Sequence, residues 1–280
     1  MLRSLFAGIS GLRTNQTMLD ITGNNIANAN TTGFKASTTV FSDTLSQMLT
    51  AASGGNAERG GTNPIQIGLG VQLAATTTNF GQGSAQMTGR PTDLMLQGDG
   101  FFVTRDGAEN VYTRAGAFTF DQTGTLVTPT GMRVQGYALD GAGLPTGGLI
   151  DIDLNSIPLP PGVELTSYSI AADGKVRGVY SDGVQRDIAQ LAVADFNNPM
   201  GLERIGDTSF RESANSGPVE LATAGQGQRG QIMAGALEMS NVDLSAEFTN
   251  LILAQRGFQA SSRVITTSDQ VLEELVNIKR

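Results

Sequence analysis

Apolar residues recur at alternating three- and four-residue steps near the N-terminal end of the chain. The series is Leu2, Leu5, Ile9, Leu12, Leu19 and Ile26. Two polar or small residues, Gln16 and Gly23, interrupt it. This heptad spacing predicts an amphipathic helix with one apolar seam. Because Asn and Gly favour helix ends, the Asn-rich run that follows predicts an end between Ala27 and Asn30.

The same spacing returns at the C-terminal end. Asp243 can cap a helix start, and Glu247 in the first turns suits the helix dipole. The seam that follows is Leu244, Phe248, Leu251, Phe258, Ile265 and Leu272, with polar residues at Gln255, Ser262 and Asp269. A neighbouring stripe holds Val264, Val271, Leu275 and Ile278, and Lys279 and Arg280 follow it. We therefore predict a second long helix.

Two helices at opposite ends of one chain predict a coiled coil, parallel or antiparallel. The alternative is two ordinary amphipathic helices on one globular core. Gly8, Gly11 and Gly23 each weaken the first helix by about 1 kcal/mol relative to Ala. We therefore predict that both ends are largely unfolded in the free monomer and order when neighbours cover the stripes. The predicted subunit-interface residues are Leu5, Ile9, Leu12, Leu19, Ile26, Phe248, Leu251, Phe258, Ile265 and Leu272.

The middle of the chain, from about Asn63 to Leu221, has short β-type runs separated by Gly-rich turns. This pattern predicts a mainly β protein with α-helical termini: a coiled-coil layer of both ends and a central β-rich meander. The expected domains are residues 1–35 plus 240–280 and residues 36–239, with no large inserted outer domain. Gly- and Pro-rich composition predicts flexible stretches at 51–61 and at 139–148, the second of which leads to the Pro-rich run 157–162.

Composition narrows the function. The 280 residues carry a net charge of −8 with no basic stripe, so nucleic acid is not an expected partner. Cys, His and Trp are absent, which excludes thiolate zinc sites and Ser-His-Asp or Cys-His catalysis. No run approaches the length of a membrane span, so membrane insertion is not expected either. The first residues do not follow a signal-peptide pattern, so we expect a cytoplasmic protein or export without a cleaved signal.

Three short motifs resemble functional sites but are better explained without a function. Gly225–Gly230 matches G-x-G-x-x-G but lacks a strong preceding strand, so a Gly-rich linker is the better interpretation. The run from Asp151 imitates a calcium loop without its Gly and closing Glu. The carboxylate pairs Asp93 with Asp99 and Asp151 with Asp153 are explained by turn formation. We therefore predict no catalytic residue, no metal site and no cofactor.

Several runs resemble the flagellar rod and hook family, from end to end and in the expected order. The first covers residues 23–35, the second 98–102 and 112–118, and the third 240–248, 255–260 and 266–269. The first run holds the family-motif loop, whose members are Asn24, Asn25, Asn28, Asn30, Thr32, Gly33, Phe34 and Lys35. Two explanations of this loop are equally good: it makes contacts between subunits along the tube that this family forms, or it simply caps the first helix.

The resemblance implies a subunit whose helical ends line a hollow tube, exported unfolded through the flagellar export apparatus and found outside the cell, in the hook or basal body. It implies a helical homopolymer that meets the distal rod protein, the hook cap protein and the hook–filament junction protein. The opening and closing runs are more similar to short hook proteins, so a flexible, torque-transmitting hook is the expected function. The distal rod is the alternative within the family. A secreted β-rich hydrolase or adhesin is the alternative from another class.

Overall fold

The computed structural model describes residues 2–55, 60–140, 144–156 and 164–278. It confirms a mainly β chain with a long helix at each end. The chain forms two compact units that alternate along the sequence. The helical unit comprises Met1–Ala27, Ser37–Asn79 and Asp243–Arg280, and the β unit comprises Asn28–Ala36 and Phe80–Val242.

The division differs from the expected one at three places, the shortest of which is residues 240–242, which belong to the β unit instead of the helical domain. Residues 37–79 belong to the helical unit, although the sequence assigned them to the β-rich domain. Residues 28–35 belong to the β unit, although the sequence assigned them to the helical domain. The reason is pairing: the strands between 37 and 79 bond to each other and pack on the first helix.

The two predicted helices are present. Helix α1 spans Leu2–Ala27 and helix α2 spans Leu244–Ile278. Helix α1 ends within the predicted interval. The Asp243 Oδ1 accepts hydrogen bonds from the backbone N–H groups of Ser245 and Ala246, at 2.9 and 3.3 Å. Asp243 therefore caps α2 as the sequence indicates.

Four strands of the helical unit form one long hairpin. They are β1 (Ser37–Asp43), β2 (Ser46–Thr50), β3 (Ile65–Gly68) and β4 (Val71–Thr78). Strand β1 pairs with β4 and β2 pairs with β3, both antiparallel, so the pairs are nested. The predicted flexible stretch at 51–61 lies between β2 and β3; its residues 56–59 are outside the described part of the chain.

The β unit contains the remaining strands of the described chain. They are β5 (Ala85–Met87), β6 (Leu94–Gln97), β7 (Phe101–Asp106), β8 (Glu109–Thr113), β9 (Thr119–Phe120), β10 (Leu126–Val127), β11 (Arg133–Leu139), β12 (Pro145–Asp151), β13 (Leu165–Ile170), β14 (Lys175–Tyr180), β15 (Gln185–Asp195), β16 (Glu203–Gly206), β17 (Ser209–Arg211), β18 (Glu220–Thr223), β19 (Gln231–Ala234) and β20 (Ala236–Glu238). A short 3-10 helix spans Pro199–Gly201. The main sheet has the order β13-β14-β15-β11-β7-β8-β17-β16, and β6 pairs with β19 and β5 with β20 outside it. In the second stretch predicted to be flexible, residues 145–148 belong to strand β12, so the prediction is wrong there. Residues 141–143 of that stretch and the Pro-rich run 157–162 lie outside the description.

The core lies on both faces of the main sheet. Along β7, Phe102 packs into one apolar cluster while Phe101 and Val103 pack into the other. Along β15, Leu191 and Val193 alternate with Ala192 and Ala194 in the same way. Successive strand residues point to opposite faces, so a strand buried on both faces is apolar at every position. This explains the unbroken apolar runs at β7 and β15.

Two glycines of the quoted motifs allow close backbone approach. A Cβ atom on Gly116 would lie 1.7 Å from the Leu94 carbonyl oxygen. Gly100 has φ of 121°, and a Cβ atom there would lie 2.6 Å from the Val193 Cγ1. Only glycine fits either position, so these motif residues serve the packing of the β unit.

Tyr112 on β8 gives the β unit a pH-dependent stability. Its ring is 1% exposed, and burial, with a smaller contribution from Glu212, raises the pKa of the phenol to about 12. The folded state therefore favours the neutral phenol, and its contribution to stability is lost as pH rises above about 10. We expect the free energy of unfolding to fall by about 1.4 kcal/mol between pH 9 and pH 11 through this residue.

Urea unfolding of the wild type and of Tyr112→Phe at both pH values measures this effect. The lowered pKa of Lys35 changes the stability in the opposite direction. Both proteins contain Lys35, so its effect cancels and the difference between the two proteins reports Tyr112. A Phe variant that loses as much stability as the wild type would show that Tyr112 does not titrate in this way.

Candidate functional site

The two helices pair along one seam in the helical unit, and the pairing is antiparallel. In the pairs Ser4–Ser268, Gly11–Ser261, Asn15–Gly257 and Asn25–Glu247 the residue numbers add up to 272 each time. The predicted pairing of the two terminal helices is thereby confirmed, and the helices run antiparallel.

Most residues predicted to lie between subunits are half-buried within the single chain. The half-buried members are Leu5, Leu12, Leu19, Ile26, Leu251, Phe258, Ile265 and Leu272. Ile9 and Phe248 face outward, with 40% and 52% of their surfaces exposed. The side chain of Leu2 lies outside the described part. A role of these residues between subunits therefore stays a prediction.

Small residues bring the helices close together. A Cβ atom on Gly8 would lie 3.1 Å from the Ile265 Cγ1, and one on Gly11 would lie 2.9 Å from the Ser261 Oγ. A Cβ atom on Gly23 would meet nothing within 4 Å. Gly8 and Gly11 therefore lower the intrinsic stability of α1 but allow it to pack closely against α2, whereas Gly23 only weakens the helix.

This contrast gives a matched pair of variants. Gly11→Leu should open the seam, because overpacking costs about 1–3 kcal/mol. Gly23→Leu should strengthen α1 by about 1 kcal/mol, since leucine is a better helix former. Circular dichroism at 222 nm under assembling conditions measures both. Equal helical signal from the two variants would contradict the seam geometry.

The helical unit has almost no apolar core of its own. Both apolar clusters lie in the β unit. In the described helical unit, Ala254 is the one buried apolar side chain, and the other buried side chains are Thr14, Thr22, Asn25 and Glu247. The unit is therefore held by half-buried contacts and by polar bonds, which is consistent with a marginally stable free form.

Large apolar side chains are instead exposed on this unit. On α2 they are Leu244, Phe248, Ile252, Leu253, Val264, Val271, Leu275, Val276 and Ile278. On the β1–β4 hairpin they are Val40, Phe41, Leu45, Met48, Leu49, Ile65, Ile67, Leu69 and Leu73, and on α1 they are Phe6 and Ile9. The described β unit contributes Met87, Leu144, Val184, Met200 and Ile205. Apolar surface on this scale marks an interaction surface.

Asn25 joins three segments of the helical unit. Its amide nitrogen donates to the Ser37 carbonyl oxygen at 2.8 Å and to the Glu247 Oε1 at 3.0 Å, and its Oδ1 accepts from the Ser37 N–H at 3.1 Å. It is 1% exposed. Asn25 therefore fixes the end of α1 to β1 and to the start of α2.

Lys35, Glu238 and Arg114 form a buried charged cluster in the β unit. The Lys35 Nζ lies 2.6 Å from the Glu238 Oε1, and the Arg114 Nη1 lies 3.5 Å from Oε2. Glu238 also accepts from the Gly83 N–H at 2.9 Å, and Lys35 donates to the Gly81 carbonyl oxygen at 3.0 Å. Burial lowers the pKa of Lys35 and of Arg114, and the Glu238 carboxylate partly opposes both shifts.

The other candidate chemistry has structural explanations. Asp151 forms an ion pair with Arg133 at 2.9 Å, and Asp153 accepts from the Asn155 N–H at 2.8 Å in a turn. Asp93 accepts from the Thr88 hydroxyl at 2.6 Å. Within the described ranges, no cluster of acidic residues is suited to hold a metal ion. No described helix is long and apolar enough to cross a membrane.

Comparisons with known proteins match all three parts of the chain. Residues 5–35 match the family model "Flagella basal body rod protein". Residues 95–178 match "Flagellar hook protein FlgE/F/G D1 domain", and residues 233–278 match "Flagellar basal body rod FlgEFG protein C-terminal". The flagellar basal-body rod protein FlgG of Bacillus subtilis is 46% identical over 281 residues, which cover all of both chains.

The chain belongs to the flagellar rod and hook family.

Relatives with different names lie within this family. The flagellar hook protein FlgE of Treponema pallidum is 30% identical over 463 aligned residues that cover both chains completely. FlgG of Borreliella burgdorferi is 34% identical over 285 residues, again with full coverage of both. The longer alignment with the hook protein shows that it contains segments that this chain lacks.

The family-motif loop is largely internal to the subunit. Asn25, Gly33, Phe34 and Lys35 are buried, Asn28 and Thr32 are half-buried, and Asn24 and Asn30 are exposed. Gly33 has φ of 69°, and a Cβ atom there would lie 2.5 Å from the Ala115 N atom. A role of this loop in contacts along a tube stays a prediction.

Sequence reasoning missed Glu238. Lys35 and Arg114 both stand in runs that resemble the family, among Gly, Thr and aromatic residues where a buried cation is unusual. That placement is the available signal that a buried acid must exist elsewhere in the chain.

Proposed function

We propose that this chain is the structural subunit of a hollow helical tube in the flagellar axis, and that its helical unit drives assembly. The observation that supports this most directly is the contrast between the units: the β unit has two buried apolar clusters, while the helical unit has exposed apolar faces on α1, α2 and the hairpin. Further copies that cover these faces would remove that apolar area from water.

The hairpin gives the same argument independently. Every side chain of β2 and of β3 is exposed, and an isolated two-stranded ribbon is marginally stable in water. Neighbouring copies would give this ribbon the apolar contacts that its own chain does not provide. Because contacts between unlike surfaces repeat without closing unless the rotation closes a ring, they generate an open helical polymer.

Two positions in the flagellum fit this subunit. The hook is supported by the full-length likeness to the hook proteins of Treponema pallidum and Borreliella burgdorferi, at 30% and 31% identity. The distal rod is supported by the 46% likeness to the Bacillus subtilis rod protein, which aligns over 281 residues without long extra segments. In either position the neighbours are other axial proteins: the distal rod protein, the hook cap protein and the hook–filament junction protein.

We further propose export through the flagellar export apparatus without a cleaved signal, to a position outside the cytoplasmic membrane. An unfolded free form of the helical ends suits this route. A dilute monomer should therefore show weak far-UV helical circular dichroism that increases on assembly. Strong helical signal in a dilute monomer would contradict this prediction.

Electron microscopy of the full-length protein, concentrated under mild salting-out, tests the function. We expect tubes with a central channel; curved tubes would support the hook and straight tubes the rod. A protein that stays monomeric under all conditions, with a defined ligand pocket, would instead support a secreted hydrolase or adhesin.

A further inference from the structure

The antiparallel register leaves the last turns of α2 without a partner in the described chain. Since paired residue numbers add up to 272, Leu2 at the start of α1 lies opposite position 270. Residues 271–278 therefore extend past the described end of the seam. Their apolar side chains Val271, Leu275, Val276 and Ile278 are 46%, 49%, 67% and 80% exposed. We call residues 271–278 the overhang.

The overhang has one apolar stripe with an acidic edge. Val271, Leu275 and Ile278 follow four- and three-residue steps and share one face of the helix. Glu274, three residues after Val271, lies beside the same face. The overhang thus presents aliphatic side chains next to a carboxylate.

The same unit contains a groove of complementary character between α1 and β4. Its volume is about 390 Å³, and its apolar lining includes Phe6, Ile9, Val71 and Leu73. Arg13 is the one charged side chain among the described lining residues. Residues 2–19 of α1 contain Arg3 and Arg13 and no acidic residue. The groove therefore combines an apolar floor with one basic side chain, that of Arg13.

Close contact between α1 and β4 shapes the groove. The Ser10 hydroxyl accepts the Val71 N–H at 3.3 Å. Gly70 has φ of 132°, and a Cβ atom there would lie 2.3 Å from the Ser10 Oγ. The groove is thus a packed feature of the unit. Phe6 at its edge is 66% exposed, which leaves a large apolar surface for an occupant.

The overhang cannot reach the groove of its own chain. The register places Phe6 opposite position 266 and Arg13 opposite position 259, whereas Leu275 lies nine residues farther along α2 than 266. A helix rises about 1.5 Å per residue, so the separation is about 13 Å along the axis. The overhang points away from the groove, and contact requires a second copy.

We propose that the overhang of one subunit docks in the α1–β4 groove of a second copy, with Leu275 against Phe6 and Ile9 and with Glu274 beside Arg13. This inference rests on the proposed tube, and it identifies one contact that builds it. The contact joins two different surfaces, so each subunit offers a free groove and a free overhang to the next.

Cysteine cross-linking tests the docking, and the natural chain has no Cys to interfere. In tubes of Ile9→Cys/Leu275→Cys we expect mild oxidation to produce a ladder of linked subunits on a non-reducing gel, because a disulfide requires Cα atoms about 4.4–6.8 Å apart. A mixture of the two single variants should stop at linked dimers. Met87→Cys replaces another exposed apolar residue, in the β unit, and its combination with Ile9→Cys should give no ladder.

Charge reversal tests the polar part of the contact. Arg13→Glu or Glu274→Arg alone should raise the critical concentration for assembly about tenfold, which corresponds to about 1.4 kcal/mol. The double variant should return to within about twofold of the wild type. A double variant no better than the worse single one would overturn the pairing of Arg13 with Glu274.

The outcomes separate this inference from the proposed function. Tubes of normal appearance without a ladder overturn the docking and leave the tube intact. A cross-link within single chains means that the groove takes its own chain's helix, and this also overturns the docking. A wild type that forms no tube overturns the proposed function and the docking together.

Discussion

Replacing Glu238 with alanine should lower the free energy of unfolding of the β unit by about 3–5 kcal/mol, the loss expected when one partner of a buried ion pair is removed. Glu238 and Lys35 have no exposed side-chain surface, and the Arg114 side chain is 3% exposed. Without the carboxylate, two buried cations have no counter-charge within the cluster. The Gly83 N–H also loses its acceptor.

The position of the cluster explains why the loss should be cooperative. Glu238 ends β20, Lys35 belongs to the segment 28–36, and Gly83 precedes β5. The Gly33 N–H also donates to the Glu238 backbone carbonyl oxygen at 2.8 Å. One carboxylate therefore holds three segments that are distant in sequence, and all three should loosen together.

Tyrosine fluorescence during urea unfolding of the full chain measures this loss. All four tyrosines, Tyr112, Tyr137, Tyr168 and Tyr180, lie in the β unit, and the chain has no Trp. Glu109→Ala is the matched control: it removes an exposed ion pair with Arg211 at 3.5 Å, which should cost at most about 1 kcal/mol. Equal effects of the two substitutions would show that the buried cluster is not an important source of stability.

Sequence periodicity predicted the helices well because each helix packs one face. The observed seam has the 3-4 spacing of the predicted series, but it lies one residue away from that series. On α1 its contacts are made by Ser4, Gly8, Gly11, Asn15 and Asn25. Periodicity could not say which helix would cover an apolar stripe. A stripe predicts that some partner covers it, but it does not show whether that partner belongs to the same chain or to another copy. The seam is consequently formed within the chain, while other exposed residues such as Ile252 and Leu253 became candidates for contacts between chains.

The hairpin was harder to predict for a related reason. Strands β1 and β2 lie inside the predicted β-rich domain but before residue 63, where the recognisable β-type runs begin. Both strands have a mixture of Ser, Thr and apolar residues without a buried face, so they lack the clear alternation that marks a half-buried strand. The buried position of Glu238 could not be predicted for a different reason. Its two partners are distant in sequence, and charge pairing leaves no periodic pattern in the sequence.

Phe258→Asp should abolish tube assembly while the β unit stays folded. Phe258 is half-buried on α2, and the register places it level with Thr14, which is 8% exposed. A carboxylate there would lose water without gaining a partner, and an unpaired buried charge is strongly unfavourable. The described part of the helical unit has almost no apolar core to compensate, so the helices should not pair and the surfaces that they present should be lost.

Two further variants separate the seam from the outer face. Leu253 is 60% exposed, so Leu253→Asp should leave the helices able to pair and yet prevent assembly, because it places a charge on a face that neighbouring copies would cover. Gln255→Asp puts the same charge on an exposed polar position of α2 and should assemble normally.

Sedimentation and electron microscopy report tubes, and tyrosine fluorescence reports the β unit. If Phe258→Asp forms tubes as readily as Gln255→Asp, the pairing of α1 with α2 is not required for assembly. Loss of assembly in Phe258→Asp and Leu253→Asp alone would instead show that both faces of α2 are needed, one toward its own chain and one toward the next.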